Sequence, residues 1–289
     1  MDILDTCAIR ALSRNQITAL AQIRTLAISP ISLWELLCHL DDIESGEDAM
    51  DAFNRRKGQI AKIHGVRILD DPFAQHALSA GVAAVTNLTR FEDRAGAQEI
   101  ISRIASAESL NALYAQTYQY PDGQNATLEG MAENCRQTLN RIENEFLITA
   151  NRMRQEENDN QTDLNCDRNL WDSIFRRVEH LVNSYRQDGI EDELLLRNSL
   201  CSMSTYYGYI LARICATDPR SCNASLARND TEDGLIVMHL DLLRDDIFVT
   251  RDQNTLNAVS RVLSILREHG NIVPRCRVVC STDYVREFL

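Results

Sequence analysis

The sequence predicts an α/β protein in which an all-helical insertion interrupts a parallel sheet of four or five strands. Short apolar runs alternate with helical patterns over the first 70 residues, and the same alternation returns after residue 230. Between these two parts, apolar residues recur only at helical spacing. Strands that alternate with helices are typical of a parallel sheet covered by helices, here a three-layer α/β/α sandwich.

The first part of the chain contains three predicted strands. They lie at 2–5, 24–29 and 65–69. Residues 6–23 predict a helix after the first strand, and residues 47–63 predict one before the third. Ser29 followed by Pro30 predicts the start of the intervening helix, because serine caps helix N-termini and proline fits the first helical position.

The last part of the chain repeats this rhythm. It contains a predicted helix at 231–243, a strand at 245–250, a helix at 254–270 and a strand at 275–280. Each part of the chain is short, so the predicted sheet needs strands from both ends. We therefore predict an α/β domain formed by residues 1–91 and 227–289, with residues 92–226 as the helical insertion.

The insertion contains three long amphipathic patterns and a weaker helical pattern at 95–119. The long patterns cover 126–157, 169–187 and 192–217. The apolar stripe from Leu128 to Met153 has two interpretations. We favour packing of the stripe on neighbouring helices; the alternative is a homodimer or protein-partner surface, or a lid over a nearby site.

Composition and charge limit the possible functions. The net charge of −12 argues against a broad electrostatic grip on nucleic acid, although a local metal site can offset nearby carboxylates. No run of 18 apolar residues is present and no leader pattern follows Met1, so we expect a cytoplasmic protein without a membrane span. Nine cysteines without a CxxC pair are expected to be reduced thiols and not zinc ligands.

Four acidic residues occupy comparable positions on these elements. They are Asp5, Glu35, Asp233 and Asp252. In an open parallel sheet, active sites form beyond the carboxyl ends of the strands, so the fold is expected to bring all four to one edge. Clustered carboxylates repel one another and are stable around a divalent cation, and oxygen ligands favour Mg²⁺ or Mn²⁺.

Each acid also has a simpler local explanation. Asp233 fits the first turn of a helix capped by Asp230, and Asp252 fits an N-cap. Glu35 alone is more typical of a solvated helix residue. Asp5 is the hardest to explain without a function, because an acid that ends a buried strand is costly unless it has a partner.

The four acids stand in segments that resemble the PIN domain family of nucleases. The motifs are DILDTCAI, SPISLWELL, TEDGLIVMHL and FVTRDQNTL, in this order. The resemblance covers residues 1–90 and 227–289. None of the motifs is specific alone, whereas four in the family's order on the expected elements are more specific. The helical insertion departs from compact members of the family, so substrate and regulation do not follow directly from the resemblance.

The resemblance implies a set of functional residues and an activity. Asp5, Glu35, Asp233 and Asp252 correspond to the metal-binding acids of the family. Thr6 corresponds to the polar residue after the first acid and Thr250 to the one before the last; Asp230 and Ser32 are further candidates for supporting hydrogen bonds, although helix capping is their simpler role. The implied activity is Mg²⁺- or Mn²⁺-dependent cleavage of RNA, or alternatively of single-stranded DNA.

We therefore predict a metal-dependent endonuclease, most simply a ribonuclease. Two alternatives remain open. One is a catalytically weak PIN-like scaffold or binding module, and the other is a DNA-directed nuclease of a defence system. The basic run Arg55, Arg56 and Lys57, with Lys62, could contact RNA phosphates, although a solvated helix face is the preferred interpretation.

Overall fold

Residues 1–79, 94–119, 123–186, 192–216 and 228–289 are described by the computed structural model. The strands are β1 (Asp2–Leu4), β2 (Leu26–Ile28), β3 (Arg67–Ile68), β4 (Thr117–Gln119), β5 (Asn125–Thr127), β6 (Ile247–Thr250) and β7 (Arg277–Cys280). The helices are α1 (Thr6–Ala11), α2 (Arg14–Ile23), α3 (Pro30–Cys38), α4 (Ala49–Ala61), α5 (Pro72–Ser79), α6 (Arg94–Ser106), α7 (Leu110–Tyr114), α8 (Leu128–Asp159), α9 (Asp167–Arg186), α10 (Asp192–Ala216), α11 (Arg228–Val237), α12 (Gln253–His269) and α13 (Ser281–Phe288).

Five of these strands form one parallel sheet in the order β3-β2-β1-β6-β7. In this register Leu4 lies opposite Ile28 on one side and Val249 on the other. The ladder continues past β1, because the Asp5 N–H donates to the Val249 carbonyl at 3.1 Å. The carboxyl ends of β1, β2 and β6 therefore meet at one edge. The predicted α/β class with a parallel sheet is confirmed, and the sheet has five strands.

Helices cover both faces of the sheet. Ile3 and Phe248 point into one apolar cluster, and their strand neighbours Leu4 and Val249 point into a second. Alternating strand residues face opposite sides, so each cluster belongs to one face. Helices α8, α9, α10 and α12 contribute to the first cluster, so the helical middle of the chain shares a core with the sheet.

The apolar stripe of α8 is buried within the chain. Leu139, Phe146, Ala150 and Met153 are each at most 3% exposed and belong to the first apolar cluster. This agrees with the preferred interpretation of the stripe as a surface that packs on neighbouring helices. These four side chains are not accessible to a second copy of the chain.

Some predicted elements differ from the structure. Residues 6–23 form two helices because Ser13 starts a new one: its hydroxyl accepts from the Gln16 N–H at 3.2 Å, and the Gln16 side chain accepts from the Ser13 N–H at 2.8 Å. This reciprocal pair is a capping box. The segment predicted as a weak helix at 95–119 becomes a strand at Thr117, where β4 pairs antiparallel with β5.

Two features of the predicted organisation lie outside the described residues, namely the domain boundaries at 91/92 and 226/227. In the part of the chain that the structure describes, no helix is both long and apolar enough to cross a membrane. Eight cysteines in that part are not in disulfides, and Cys222 falls outside it.

Gly208 marks a close approach between α10 and α12. A Cβ atom at this position would lie 2.7 and 2.8 Å from the two methyl carbons of Val262, whose β-branched side chain has little freedom to move. We expect Gly208→Ala to lower the free energy of unfolding by about 1–3 kcal/mol, as overpacking does. Urea unfolding monitored by circular dichroism measures this change.

Gly58 provides the matched control, because it also lies inside a helix but has open space around its Cβ position. Gly58→Ala should raise the free energy of unfolding by up to about 1 kcal/mol through helix propensity alone. A Gly208→Ala protein as stable as the Gly58→Ala protein would contradict the packing described for α10 and α12.

Candidate metal centre

Asp5 lies at the point where β1 ends and α1 begins, and its side chain is fully buried. Its Oδ1 atom caps α1 by accepting from the Ala8 N–H at 2.6 Å. Its Oδ2 atom is buried without a hydrogen-bond partner among the described residues. A buried carboxylate oxygen without a partner is costly, so this position is not explained by capping alone.

The surroundings of Asp5 favour its neutral form. Burial raises the pKa of the Asp5 carboxyl to about 7, and the charges of Glu35 and Asp252 add to the increase. The Thr250 hydroxyl and the Ala8 N–H oppose it only in part. Two of the predicted acids therefore lie close enough to Asp5 to disfavour its charge.

Asp233 joins the same cluster from α11. The Thr255 hydroxyl donates to its Oδ2 atom at 2.5 Å. Burial raises the pKa of Asp233 well above its usual value, and the charge of Asp5 is the second largest cause. The Thr255 hydrogen bond opposes the increase, whereas the charges of Asp252 and Glu35 add to it. Each of the four predicted acids thus contributes to one electrostatic cluster.

The position of Asp233 within its helix differs from the prediction. Helix α11 begins at Arg228, so Asp233 is not in the first turn and Asp230 is not the N-cap. Asp230 instead lies inside the helix, where its Oδ1 atom accepts from Arg213 Nε at 2.6 Å. The capping role proposed for Asp230 was therefore wrong. Its carboxylate instead forms an ion pair with Arg213 of α10.

Asp252 has both a local and a shared role. Its Oδ1 atom accepts from the Thr255 N–H at 2.8 Å, which caps α12 as predicted. Its own N–H donates to the Thr250 hydroxyl at 2.9 Å. Asp252 is therefore hydrogen-bonded both to the end of β6 and to the first turn of α12. Thr255 consequently orients two acids at once, through its hydroxyl to Asp233 and its N–H to Asp252.

Glu35 lies on the buried side of α3, with 8% of its surface exposed. This differs from the solvated position that would be ordinary for a helical glutamate. Its Oε1 atom pairs with Arg10 Nη2 at 2.9 Å. The N-cap at Ser29 and the first residue Pro30 start α3 as predicted, and this fixes the helix that brings Glu35 to the sheet edge.

Two buried hydroxyls stand on the helices that leave this edge of the sheet. Thr6 follows Asp5 directly, and Ser32 lies in the first turn of α3. Neither hydroxyl has a hydrogen-bond partner among the described residues. Ser32 does not cap α3, since Ser29 has that role, so the simpler role considered for Ser32 was wrong.

Three residues of the site were not predicted from the sequence. Tyr209 of α10 donates its hydroxyl to Asp230 at 3.3 Å and lies 3.5 Å from the Thr255 hydroxyl. Arg213, one turn further along α10, forms an ion pair with the same Asp230 carboxylate, to which its Nε donates at 2.6 Å. Cys7 lies beside the cluster: burial, then the charges of Asp5, Asp233 and Glu35, raise the pKa of its thiol to about 12. Only Cys7 had a local signal, its place two residues after Asp5.

The basic residues considered for RNA binding have partners inside the chain. The basic run contacts Glu47 through Arg55, Glu44 through Arg56, the Ala107 carbonyl through Lys57 and the Ile9 carbonyl through Lys62. These contacts favour a structural role over phosphate binding.

A histidine in the third motif is also buried. The His239 ring is fully enclosed, between the Ser29 hydroxyl at 2.9 Å and Gln75 at 2.7 Å, and burial lowers its pKa to about 3.

The hydrogen bond from the Tyr209 hydroxyl to Asp230 leads to a prediction. Tyr209→Phe should lower the free energy of unfolding by about 1 kcal/mol, because a buried carboxylate loses a donor while its arginine partner remains. Tyr207→Phe is the matched control on the same helix, since the Tyr207 hydroxyl has no hydrogen-bond partner among the described residues. Chemical unfolding of both variants measures the difference, and equal losses would contradict the role of Tyr209.

The chemistry of the cluster fits a hard divalent cation. All four predicted ligands are carboxylates, which suit Mg²⁺ or Mn²⁺, and the buried Oδ2 of Asp5 lacks a partner that a cation would provide. Within the described ranges, however, no three His, Cys, Asp or Glu side chains are already positioned to hold an ion. Their protein partners orient the carboxylates individually, so binding an ion requires them to turn toward one point.

Comparison of the chain with protein-family models found no matching family, and comparison with curated proteins and with solved structures found no match. The interpretation of the site therefore depends on the residues, contacts and charges of this chain.

Proposed function

We propose that the chain is a Mg²⁺- or Mn²⁺-dependent endonuclease with a PIN-like α/β/α sandwich, and that its substrate is RNA. The parallel strand order β3-β2-β1-β6-β7 and the helices on both faces support the fold. The four motif acids on the elements that meet at one sheet edge support the activity.

One observation carries most of the proposal. The Oδ2 atom of Asp5 is buried, unpartnered among the described residues and surrounded by further carboxylates. Capping of α1 uses Oδ1 alone, while burial and like charges both disfavour the ionised carboxylate. A bound cation removes both costs, and buried acids with strongly perturbed pKa values are typical of functional sites.

In this proposal Asp5 and Asp252 are the principal ligands, and Asp233 and Glu35 complete the acidic cluster. A bound divalent cation supplies the Lewis acidity and the charge neutralisation that hydrolysis of a phosphodiester by water needs. The protein contributes orientation: Thr255 holds Asp233 and Asp252, and Arg10 holds Glu35.

A substrate panel tests the proposal. The purified chain is incubated with single-stranded RNA, single-stranded DNA and duplex DNA, each with Mn²⁺, Mg²⁺ or EDTA. We expect metal-dependent internal cleavage of RNA. Cleavage confined to DNA would support the alternative of a defence nuclease. No cleavage of any substrate, together with weak or absent Mn²⁺ binding, would support the alternative of a PIN-like scaffold with vestigial acids.

A further inference from the structure

A second concave site lies among the helices of the middle part of the chain, apart from the acidic cluster. It has a volume of about 610 Å³, within the range of small-molecule sites, and helices α8, α9 and α10 form most of its wall. None of the four predicted ligand acids lines it. Nothing in the proposed nuclease mechanism uses it.

One wall of this cavity is aromatic. The Tyr206 ring lies 6.1 Å from Phe73, 6.3 Å from Phe146 and 5.6 Å from Tyr207, measured between ring centroids. Tyr206 is only 6% exposed, and its hydroxyl has no hydrogen-bond partner among the described residues. The rings open to a planar ligand are Phe73, which is 43% exposed, and the partly buried Tyr207. The Tyr206 hydroxyl leaves a polar group for a ligand to satisfy.

Two charges of opposite sign line the cavity without an ion-pair partner in the described part of the chain. Glu145 and Arg152 both belong to α8 and both line it, and neither has an ion-pair partner among the described residues. Seven residues of α-helix separate them, which corresponds to about 10 Å along the helix axis. Two other arginines line the cavity, and both have carboxylate partners: Arg177 pairs with Glu156 at 2.8 Å, and Arg176 lies 3.6 Å from Glu157.

The surroundings place each charge beside a different tyrosine. Glu145 is close to Tyr206, where burial raises the pKa of the hydroxyl and the charges of Tyr207 and Glu145 add to the increase. Arg152 is close to Tyr207: burial, followed by Tyr185, raises the pKa of the Tyr207 hydroxyl, and the charges of Arg177 and Arg152 oppose the increase. Glu145 therefore lies on the Tyr206 side of the cavity and Arg152 on the Tyr207 side. The lining also contains Glu156, Arg176, Arg177 and His180.

We propose that this cavity binds a guanine nucleotide, with the base against the aromatic wall, its N–H edge at Glu145 and its phosphate at Arg152. An ionised carboxylate only accepts hydrogen bonds, and the guanine edge offers two adjacent N–H donors. Adenine places an acceptor beside its donor and matches a carboxylate poorly. The spacing of about 10 Å suits a base edge and a phosphate on the same nucleotide.

Calorimetric titration with GMP, with AMP and with an RNA trinucleotide that contains one guanosine tests the inference. The titrations use the full chain carrying Asp5→Asn, in EDTA, so the result does not depend on the proposed nuclease activity. GMP binding identifies a free nucleotide as the ligand, and binding of the trinucleotide alone identifies a guanosine within RNA.

Variants assign the contacts. Glu145→Gln should weaken binding of the guanine ligand by about tenfold or more and remove its advantage over AMP, and Arg152→Gln should weaken both nucleotides about tenfold. Glu129→Gln and Arg141→Gln, on the same helix and outside the cavity, should change neither affinity. The inference is overturned if no guanine ligand binds at millimolar concentration, if AMP binds as well as GMP, or if Glu145→Gln binds as the parent does.

Discussion

Replacing Asp5 and Asp252 together by Asn is expected to reduce Mn²⁺-dependent RNA cleavage by about a thousandfold or more. The two substitutions remove both principal ligand charges, and a catalytic metal contributes several kcal/mol, with each factor of ten in rate equal to about 1.4 kcal/mol. Helix capping should survive, because asparagine caps helix N-termini as well as aspartate does. The initial rate of cleavage of a labelled RNA measures the effect.

The matched control is Asp48→Asn. Asp48 caps α4, where its Oδ1 atom accepts from the Met50 N–H at 2.8 Å, and this helix start carries none of the predicted ligands. The same chemical change at this cap should leave the cleavage rate unaltered. Cleavage that survives in the double variant would mean that a different group, or a contaminating nuclease, carries the activity.

Asp5→Asn alone is expected to stabilise the metal-free protein at pH 8. The pKa of the Asp5 carboxyl is about 7 in the folded chain and near 3.8 when unfolded. The folded state therefore binds more protons between these values, and the stability of the parent protein falls as the pH rises from about 4 to about 7. Above pH 7 the loss is complete and amounts to at most about 4 kcal/mol.

The variant lacks this titration, so its advantage should be small at pH 4 and largest at pH 8. Each kcal/mol moves the melting temperature of a chain of this size by roughly 2–4 °C, so a loss of about 4 kcal/mol gives an upper limit of roughly 16 °C at pH 8. Thermal unfolding in EDTA at both pH values measures it, with Asp48→Asn as the control. A variant that is less stable than the parent at pH 8 would show that Asp5 has a stabilising partner.

Local chemistry explains why part of the fold could be predicted. Ser29 and Pro30 start α3, and Asp252 starts α12, through contacts within three residues along the chain. The short apolar runs become strands because both faces of the sheet are buried. Since parallel strands share an edge, the positions of Asp5 and Asp252 after their strands were sufficient to predict that they converge.

Long-range contacts explain most of what was missed. Asp230 has the sequence setting of a cap, but Arg213 pairs with it from another helix. Tyr209 has no local sign of a role, because its partners are 21 and 46 positions away in the chain. The division of residues 6–23 was different: Ser13 and Gln16 have capping-box spacing, and the signal was present in the sequence.

The central claim is that Asp5, Glu35, Asp233 and Asp252 form one divalent-cation site. Calorimetric titration of the parent protein and of the Asp5→Asn, Asp252→Asn variant with Mn²⁺ tests it most directly. We expect saturable binding to the parent and none to the variant at the same concentrations. Absence of binding to the parent, or equal binding to both proteins, would contradict the claim.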